Sequence, residues 1–527
     1  GIIMNKSMKQ LTQFAACAIA ALSVVACSSD DSAQQDNAKQ NTTKGVATFD
    51  GLQPSNDTRA LTRTTATYTL GGDAKVFWTS ADKIFVQDDA NTFHQSNAAN
   101  LYNPSNKAKA IFSLASGSFT LNNREVRYTG ENGTDANTVT IATTQTQTTA
   151  NDFSHLGTSG DCGTATATGS NGNYTFTLNH KASYLCFVPR CMNTDLGPNI
   201  KLTKIKVTAN QPIAGKYDFS TGSLAQKAGE TYSNTVTLNT SDFSLNTTTS
   251  SLATNGAYMV VAPGTYNFTI TYTIKDPTTN VEGDVVKTVS SYNCQEGKIN
   301  DITAWIDKDI KDYSSKKYYM WDADETKDYW FGVANPPTTE GASNGNYPQG
   351  SSDPRWYHEG TGLITPTHVA ATAPNVNEML WYAYKGTPYW DTTTLWSTLG
   401  HLYKVGIWLK KQSVIASENG VTAAAMKAAY NSVDYQYNTL YDFTAPYASI
   451  TGDAPSPSIR NDYFFLPALG RMKEGLFHTL GTEGHYASST PIFDLPNMST
   501  GIHFRADGIH IHRGFPRDGG YQYFPVQ

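Results

Sequence analysis

The feature that most constrains the fold is a repetition of short β-branched and aromatic runs between residues 64 and 305. Runs such as KVFWTSADKIFV, TVTIATTQTQ and YMVVAPGTYNFTITYTI are separated by turns rich in Gly, Asn, Asp and Ser. Strands of about five to eight residues at this spacing predict β-sandwiches rather than alternating strands and helices. The length fits two tandem sandwiches, which we place at residues 64–178 and 179–305.

The composition changes after Trp305. Seven of the nine tryptophans lie between Trp321 and Trp408, and a Lys/Asp-rich segment at 307–317 marks the shift. Two segments have helical patterns, PNVNEMLWYAY (374–384) and VTAAAMKAAYNSV (421–433), the first with a proline suited to a first turn. Residues 306–527 are therefore predicted to form an α+β domain, and the chain as a whole to be mainly β.

The first residues have the features of an export signal. A positive segment (residues 6–9) precedes an apolar stretch (11–25) that is short of the roughly twenty residues of a spanning helix. VVAC at 24–27 places a small residue before a cysteine, as lipoprotein signal peptidases require. We predict a lipoprotein signal peptide at residues 4–26 and lipidation of Cys27. An ordinary secretory signal with a chance cysteine is the alternative.

A propeptide is predicted to follow, at residues 27–63. Residues 28–43 are polar and typical of a disordered tether. GVATFDGL (45–52) alternates as one edge strand would, and QPSNDTRALTR (53–63) is typical of an exposed loop. That loop contains Arg59 and Arg63.

The overall composition excludes some classes of partner. The 39 basic and 45 acidic residues are close to balance, so nothing indicates a nucleic-acid or anionic-membrane partner. A polar, weakly charged, aromatic-rich chain is typical of secreted β proteins. Export would permit disulfides, but the spacing of the last four cysteines matches no zinc pattern. Thiols and disulfides both remain open for Cys162, Cys186, Cys191 and Cys294.

The segment DAKVFWTSADKIFV (73–86), preceded by Arg63, resembles the start of the fimbrillin family of Bacteroidales pilins. Five residues match the family pattern: Trp78, Asp82, Lys83, Ile84 and Val86. Ala81 stands where the family usually has glycine. The resemblance spans residues 45–305 and implies two transthyretin-like sandwiches in a lipoprotein precursor of a type V pilin.

Residues 321–527 resemble the C-terminal domain of fimbrillin-like surface proteins, which is related to the major paralogous domain and to C-type-lectin-like folds. Five blocks fall in order: WDA (321–323), YWFG (329–332), PNVNE (374–378), DYFFLPA (462–468) and YASST (486–490). Ala487 stands where a tryptophan is usual. The resemblance implies that residues 306–527 form a lectin-like adhesin domain.

Together the two resemblances imply a fimbrium tip subunit at the outer membrane and cell surface. In such pilins a surface protease cuts after an arginine, here Arg59 or Arg63, and removes the first strand. The unpaired groups then accept a strand from a neighbouring pilin subunit by β-augmentation. The segment GIHIHRGFPRDGGYQYFPVQ falls inside the lectin-like domain rather than forming a spare strand, so we expect the tip position. The lipid would be only a transient membrane anchor.

No metal or cofactor is assigned from the sequence. His510 and His512 would share one face of a strand near His503 and could bind a transition metal, but such pairs are commoner without one. The acidic loop at 322–328 lacks the glycine and terminal glutamate of an EF-hand. Bound calcium remains open.

Exposed aromatic residues are the candidate ligand contacts, because their rings stack on sugars and anchor protein interfaces. Trp356 and Tyr357, which follow Pro354, and Trp390 are expected to face solvent, whereas most other tryptophans are expected to lie in the core. The ligand is a host or bacterial surface molecule, with glycans among the candidates.

An enzyme is not expected. Residues 306–527 contain no cysteine, which removes the chemistry of formylglycine-generating oxidases, and no nucleophile elbow, zincin motif or P-loop occurs. The alternative function is an outer-membrane-anchored surface lipoprotein that binds glycans and is not polymerised.

Overall fold

The computed structural model describes residues 45–53, 68, 70, 77–103, 105–437, 442–447 and 451–527. The predicted signal peptide, Cys27, Arg59 and Arg63 lie outside the described residues. Strand is the dominant secondary structure, so the mainly β prediction is confirmed. Within the described part of the chain, no helix is both long and apolar enough to span a bilayer.

Among the described residues before residue 181 there are ten strands. In chain order they are β1 (Ala47–Leu52), β2 (Phe85–Gln87), β3 (Phe93–Gln95), β4 (Lys109–Leu114), β5 (Arg124–Tyr128), β6 (Thr138–Ile141), β7 (Thr144–Gln147), β8 (Gly163–Ser170), β9 (Asn173–Thr177) and β10 (Asn179–His180). A one-turn helix, α1 (Leu156–Ser159), connects β7 to β8.

Nine strands follow, up to residue 305. They are β11 (Ser183–Arg190), β12 (Lys201–Ala209), β13 (Ala214–Asp218), β14 (Tyr232–Ser233), β15 (Thr235–Ser244), β16 (Ala257–Val261), β17 (Gly264–Asp276), β18 (Val281–Cys294) and β19 (Ile299–Trp305). The short helix α2 (Leu252–Asn255) precedes β16, and its N-cap Ser251 accepts a hydrogen bond from Thr254 N.

The last region mixes short strands with helices. Its strands are β20 (Lys311–Asp312), β21 (Tyr389–Asp391), β22 (Trp396–Thr398), β23 (His401–Tyr403), β24 (Gly406–Lys410), β25 (Asp442–Ala445), β26 (Thr451–Gly452), β27 (Tyr463–Pro467), β28 (Arg471–Lys473), β29 (Leu476–His478), β30 (Gly484–Pro491), β31 (Met498–Arg505) and β32 (Gly508–Pro516). Its helices are α3 (Val376–Lys385), α4 (Gln412–Asn419) and α5 (Ala423–Ala428).

The first sheet has the order β3-β2-β5-β8-β9-β1-β4, with β10 paired to β8. Strand β1 is therefore not the edge strand that its sequence predicts. It lies between β4, to which it is antiparallel, and β9, to which it is parallel. The alternating burial of its residues could not reveal this, because edge and interior strands of a sheet with one solvated face alternate in the same way.

The second group of strands forms a three-stranded sheet, β16-β11-β19, and a five-stranded sheet, β18-β17-β12-β15-β7. Strand β7 pairs parallel with β15, and β6 pairs antiparallel with β13. Val139 and Ile141 accordingly pack in the same core as Ile205 and Leu238. The boundary predicted after residue 178 assigns β6 and β7 to the first sandwich, although they pair and pack with the second group of strands.

The four cysteines that follow the predicted lipidation site are free and buried. The sequence leaves open whether these cysteines are thiols or disulfides, and in the structure all four are thiols. They pack in the core of the second group of strands, with its aliphatic and aromatic side chains.

Helix α3 is confirmed close to its predicted position, and its start is locally encoded. The Asn375 side chain accepts from Glu378 N, and the Glu378 carboxylate accepts from Asn375 N, which forms a capping box. The helix predicted at 421–433 is shorter, because α5 ends at Ala428. Helix α4 was not predicted, and its weak amphipathic pattern gave little sign of it.

The C-terminal region packs directly on the β17–β18 hairpin. The buried carboxylate of Asp276 accepts from His401 Nδ1 at 2.9 Å and from Leu402 N at 3.0 Å. Leu395 and Leu402 join the apolar core of the second group of strands. The hydrogen bonds of Asp276 and the apolar contacts of Leu395 and Leu402 therefore hold the C-terminal region against the second group of strands.

Candidate functional site

Strand β1 is held by hydrogen bonds on both of its edges. Val46 N donates to Leu114 O and Thr48 N donates to Gly172 O, both at 2.8 Å. At the other end, Leu178 N donates to Leu52 O at 2.9 Å. Removal of β1 would leave unpaired donors and acceptors on two strands at once, β4 and β9.

The side chains of β1 also fill the core of the first sheet. Phe49 is fully buried and stacks on Tyr174 with ring centroids 4.8 Å apart, while Phe119 meets its edge at 5.6 Å. At Gly51 a Cβ atom would lie 2.5 Å from the Phe176 ring. Phe49 thus fills its position in β1 with a buried ring, and Gly51 leaves room for the Phe176 ring.

The aromatic residues expected to contact a ligand differ in exposure. Trp356 and Tyr357 are half-buried and pack together at 4.6 Å, and Trp356 Nε1 donates to Glu359 Oε1 at 2.7 Å. Trp390 is only 9% exposed and lies against Tyr447 at 5.2 Å. The expected solvent exposure of Trp390 is wrong, because Tyr447 and Phe504 pack against its ring.

The acidic loop at 322–328 is built around a structural carboxylate. Asp322 is 1% exposed and accepts from the backbone N–H groups of Thr367, His368 and Ala370. His358 Nδ1 adds a contact of 2.7 Å. These bonds occupy both carboxylate oxygens, so Asp322 anchors the 367–370 segment.

Three histidines form a row across β30, β31 and β32. His485 lies opposite His503, and His503 lies opposite His510. The first two rings stack with centroids 4.1 Å apart, and the second pair is 5.7 Å apart. The sequence had singled out His510, His512 and His503. The side chain of His512 lies outside the described residues, and His485 was missed because strand register is not visible in the sequence.

Glu483, immediately before β30, lies at the end of this row. Its Oε2 atom is 3.2 Å from His485 Nε2 and 3.0 Å from His503 Nε2. The hydrogen bond from His485 is the main cause that lowers the pKa of Glu483 to about 2. Burial, reinforced by the neighbouring His485, lowers the pKa of His503 to about 4. At neutral pH the cluster therefore combines a carboxylate with a neutral imidazole.

A cavity of about 380 Å³ opens beside the histidine row. Besides the histidines, its lining includes Arg471, Arg505, Phe515 and Tyr521. The lining thus combines cationic, aromatic and metal-ligating groups in one concave surface.

No protein-family model matches the chain, and no curated protein matches it significantly. Among solved structures, the chain is similar to a candidate cell adhesion protein from Bacteroides ovatus, at 13% identity and a TM-score of 0.30 over 49% of this chain and 93% of that chain. A fimbrial protein from Bacteroides ovatus has 11% identity and a TM-score of 0.22 over 92% of this chain and 99% of that chain. These TM-scores are too low to establish a shared fold. The fold described above and the function proposed below rest on the residues of this chain.

Proposed function

We propose that the chain is a subunit of a surface fimbrium that accepts a donor strand in place of β1 and occupies the tip. The observation that supports this most strongly is the position of β1, an interior strand that directly precedes the Arg59/Arg63 segment. Cleavage there would separate β1 covalently from the rest of its own sheet.

Loss of β1 would create a strong binding site for another chain. The slot would have backbone donors and acceptors on both walls, from β4 and β9, and an apolar floor that includes Phe112 and Phe176. Main-chain hydrogen bonds would give affinity, and the side-chain pockets would give specificity. A donor would run antiparallel to β4, as β1 does.

The tip position is supported by the packing of residues 508–527. Strand β32 pairs with both β31 and β25. Further along, Gln412 N donates to the Gln527 oxygen, and Gln527 N donates to Tyr382 Oη at 3.0 Å. Residues 508–527 are thus engaged within their own domain, so this segment is not free to be donated to a neighbouring subunit.

We further propose that residues 306–527 are a non-enzymatic adhesin domain, with Trp356 and Tyr357 as the first contact surface. Their half-buried rings are held side by side, and the Glu359 carboxylate fixes Trp356. Paired rings of this kind suit the C–H face of a sugar or an apolar anchor of a protein.

The test is to isolate the protein from its native cells, determine its N-terminus and look for it in high-mass fimbrial ladders. The proposal predicts an N-terminus directly after Arg59 or Arg63 and comigration with the ladder. An Arg59→Ala/Arg63→Ala double variant should keep its lipid and no longer comigrate with the high-mass ladder. An Arg460→Ala variant, which changes an arginine outside this segment, should behave as wild type. An N-terminus at lipidated Cys27 without a ladder would instead support the anchored glycan-binding lipoprotein.

A further inference from the structure

We propose that Glu483, His485 and His503 form a binding site for one Zn²⁺ ion, with an open coordination position that faces the adjoining cavity. The site belongs to residues 306–527 and does not depend on polymerisation. Its support is the convergence of three metal-ligating atoms on one point.

Two of the three distances between ligand atoms fit a tetrahedral ion. The three ligand atoms all lie within 4.8 Å of one another. Glu483 Oε2 is 3.2 Å from His485 Nε2 and 3.0 Å from His503 Nε2. Zinc bonds of about 2.0–2.2 Å separate neighbouring ligand atoms of a tetrahedron by roughly 3.3 Å. Both carboxylate–imidazole distances are close to that separation.

The same atoms form hydrogen bonds when no metal is bound. Glu483 Oε2 lies within hydrogen-bond distance of both Nε2 atoms, and His485 Nε2 is also 3.3 Å from Thr479 Oγ1. The two imidazole rings stack at 4.1 Å with planes only 17° apart. Because the nitrogen lone pairs lie in the ring planes, the rings must tilt toward a bound ion, which would then take the place of these hydrogen bonds.

The two histidine ligands lie on neighbouring strands of one sheet, and Glu483 directly precedes the first of these strands. His485 on β30 lies directly opposite His503 on β31. His485 is 5% exposed, and the His503 ring is largely covered. Ligands on paired strands are preorganised, because their backbone positions are fixed before the ion binds.

His510 borders the site but is not one of its ligands. Its Nδ1 atom is 3.1 Å from Thr444 Oγ1, and its Nε2 atom is 3.2 Å from Asp507 Oδ1. Both ring nitrogens are thus engaged on the far side of the row. The fourth position is left to water or to a ligand oxygen from the 380 Å³ cavity.

The donor set selects among cations. Two imidazoles and one carboxylate, with room for a fourth group, suit Zn²⁺. Mg²⁺ and Ca²⁺ require six or more ligands, mostly oxygens, and should not compete.

The experiment uses the untagged full chain, treated with a chelator and dialysed. Titration calorimetry with ZnCl₂ should give one ion per chain, and Co²⁺ should give the visible absorption of a tetrahedral complex. Glu483→Gln and His503→Gln should each weaken Zn²⁺ binding by about 100-fold or more, because loss of a direct ligand costs at least as much as loss of a supporting partner.

The matched control is His368→Gln. His368 is exposed and pairs with Glu325 at 3.3 Å, so it is a surface histidine beside a carboxylate outside the cluster. This variant should bind Zn²⁺ as wild type does. Zinc should also raise the unfolding temperature of the wild type and of His368→Gln, but not of His503→Gln. Absence of stoichiometric binding by the wild type, or equal binding by His503→Gln, would overturn the proposal.

Discussion

Phe49 and Tyr174 stack almost in parallel, with ring centroids 4.8 Å apart and planes 7° apart. The contact joins β1 to β9, its parallel neighbour, in the interior of the first sheet. Phe49 and Tyr174 belong to the apolar core of the first sheet. Under the proposed function, a donor strand that takes the place of β1 is expected to supply an apolar side chain at the same position.

We predict that Phe49→Ala destabilises the uncleaved protein by about 3–5 kcal/mol, because it removes a buried ring and leaves a cavity. The control is Val46→Ala, at a residue that is 51% exposed. It should change stability by less than about 0.5 kcal/mol. Urea unfolding followed by intrinsic tryptophan fluorescence, to which the buried Trp78 of this core contributes, measures both variants. Equal stability of the two would contradict the role of Phe49 as a core residue.

Glycine is expected to be required at position 51 of any strand in this slot. A Gly51→Val change places Cβ against the Phe176 ring and should cost about 1–3 kcal/mol through overpacking. The control Thr48→Val keeps a β-branched side chain of nearly the same size on the other face of β1 and should be nearly neutral. A synthetic peptide of residues 45–53 should bind the cleaved protein, and the same peptide with valine at position 51 should not. Equal binding of both peptides would rule out this packing.

Asp82 should make the first sheet less stable as the pH rises. Burial, opposed in part by hydrogen bonds from Thr79 and Tyr128, raises the pKa of Asp82 from 3.8 to about 6. Between these values the unfolded chain has released the proton that the folded chain retains, so unfolding becomes more favourable as pH increases. The cost reaches about 3 kcal/mol above pH 6.

Asp82→Asn cannot ionise and removes this cost. The difference in unfolding free energy between Asp82→Asn and wild type should therefore move in favour of the variant from pH 4 to pH 7. Denaturant titrations at four pH values measure it. A difference that is constant over this range would show that Asp82 ionises normally in the fold.

Truncation of the half-buried Trp356 and of the buried Trp390 should have different effects on ligand binding and on stability. Trp356→Ala should reduce binding in a glycan array or to host surface protein while changing stability little, because its ring is half-buried. Trp390→Ala should destabilise the C-terminal region by about 3–5 kcal/mol, because its ring lies between Tyr447 and Phe504. Binding that survives Trp356→Ala and Tyr357→Ala together would place the ligand surface elsewhere.

Patterns over a few neighbouring residues predict the elements that depend on those residues alone. The alternation at 45–52 predicts strand β1, and the Asn375/Glu378 pair marks the start of α3 within the sequence itself. Neither pattern indicates which strands pair with each other. The sequence therefore predicts β1 at the edge of a sheet, whereas the structure places it between β9 and β4.

Long-range partners explain what the sequence could not reveal. Gln145 Nε2 donates to Val260 O, and Val260 N donates to Gln145 Oε1, so a side-chain amide of β7 pairs with β16 as a backbone would. In the same way, His485 and His503 are 18 positions apart and meet only through strand register. Glu483 has no sequence motif that links it to either histidine.

The most direct test of the strand slot is amide hydrogen exchange before and after cleavage at the Arg59/Arg63 segment. Leu178 N donates to Leu52 O, so its amide and those of β4 and β9 that face β1 should be protected in the uncleaved protein. We predict that protection falls after cleavage and removal of the released N-terminal segment, and returns when the peptide of residues 45–53 is added. Protection that is unchanged by removal of the segment and by the peptide would contradict the proposal that β1 can be replaced.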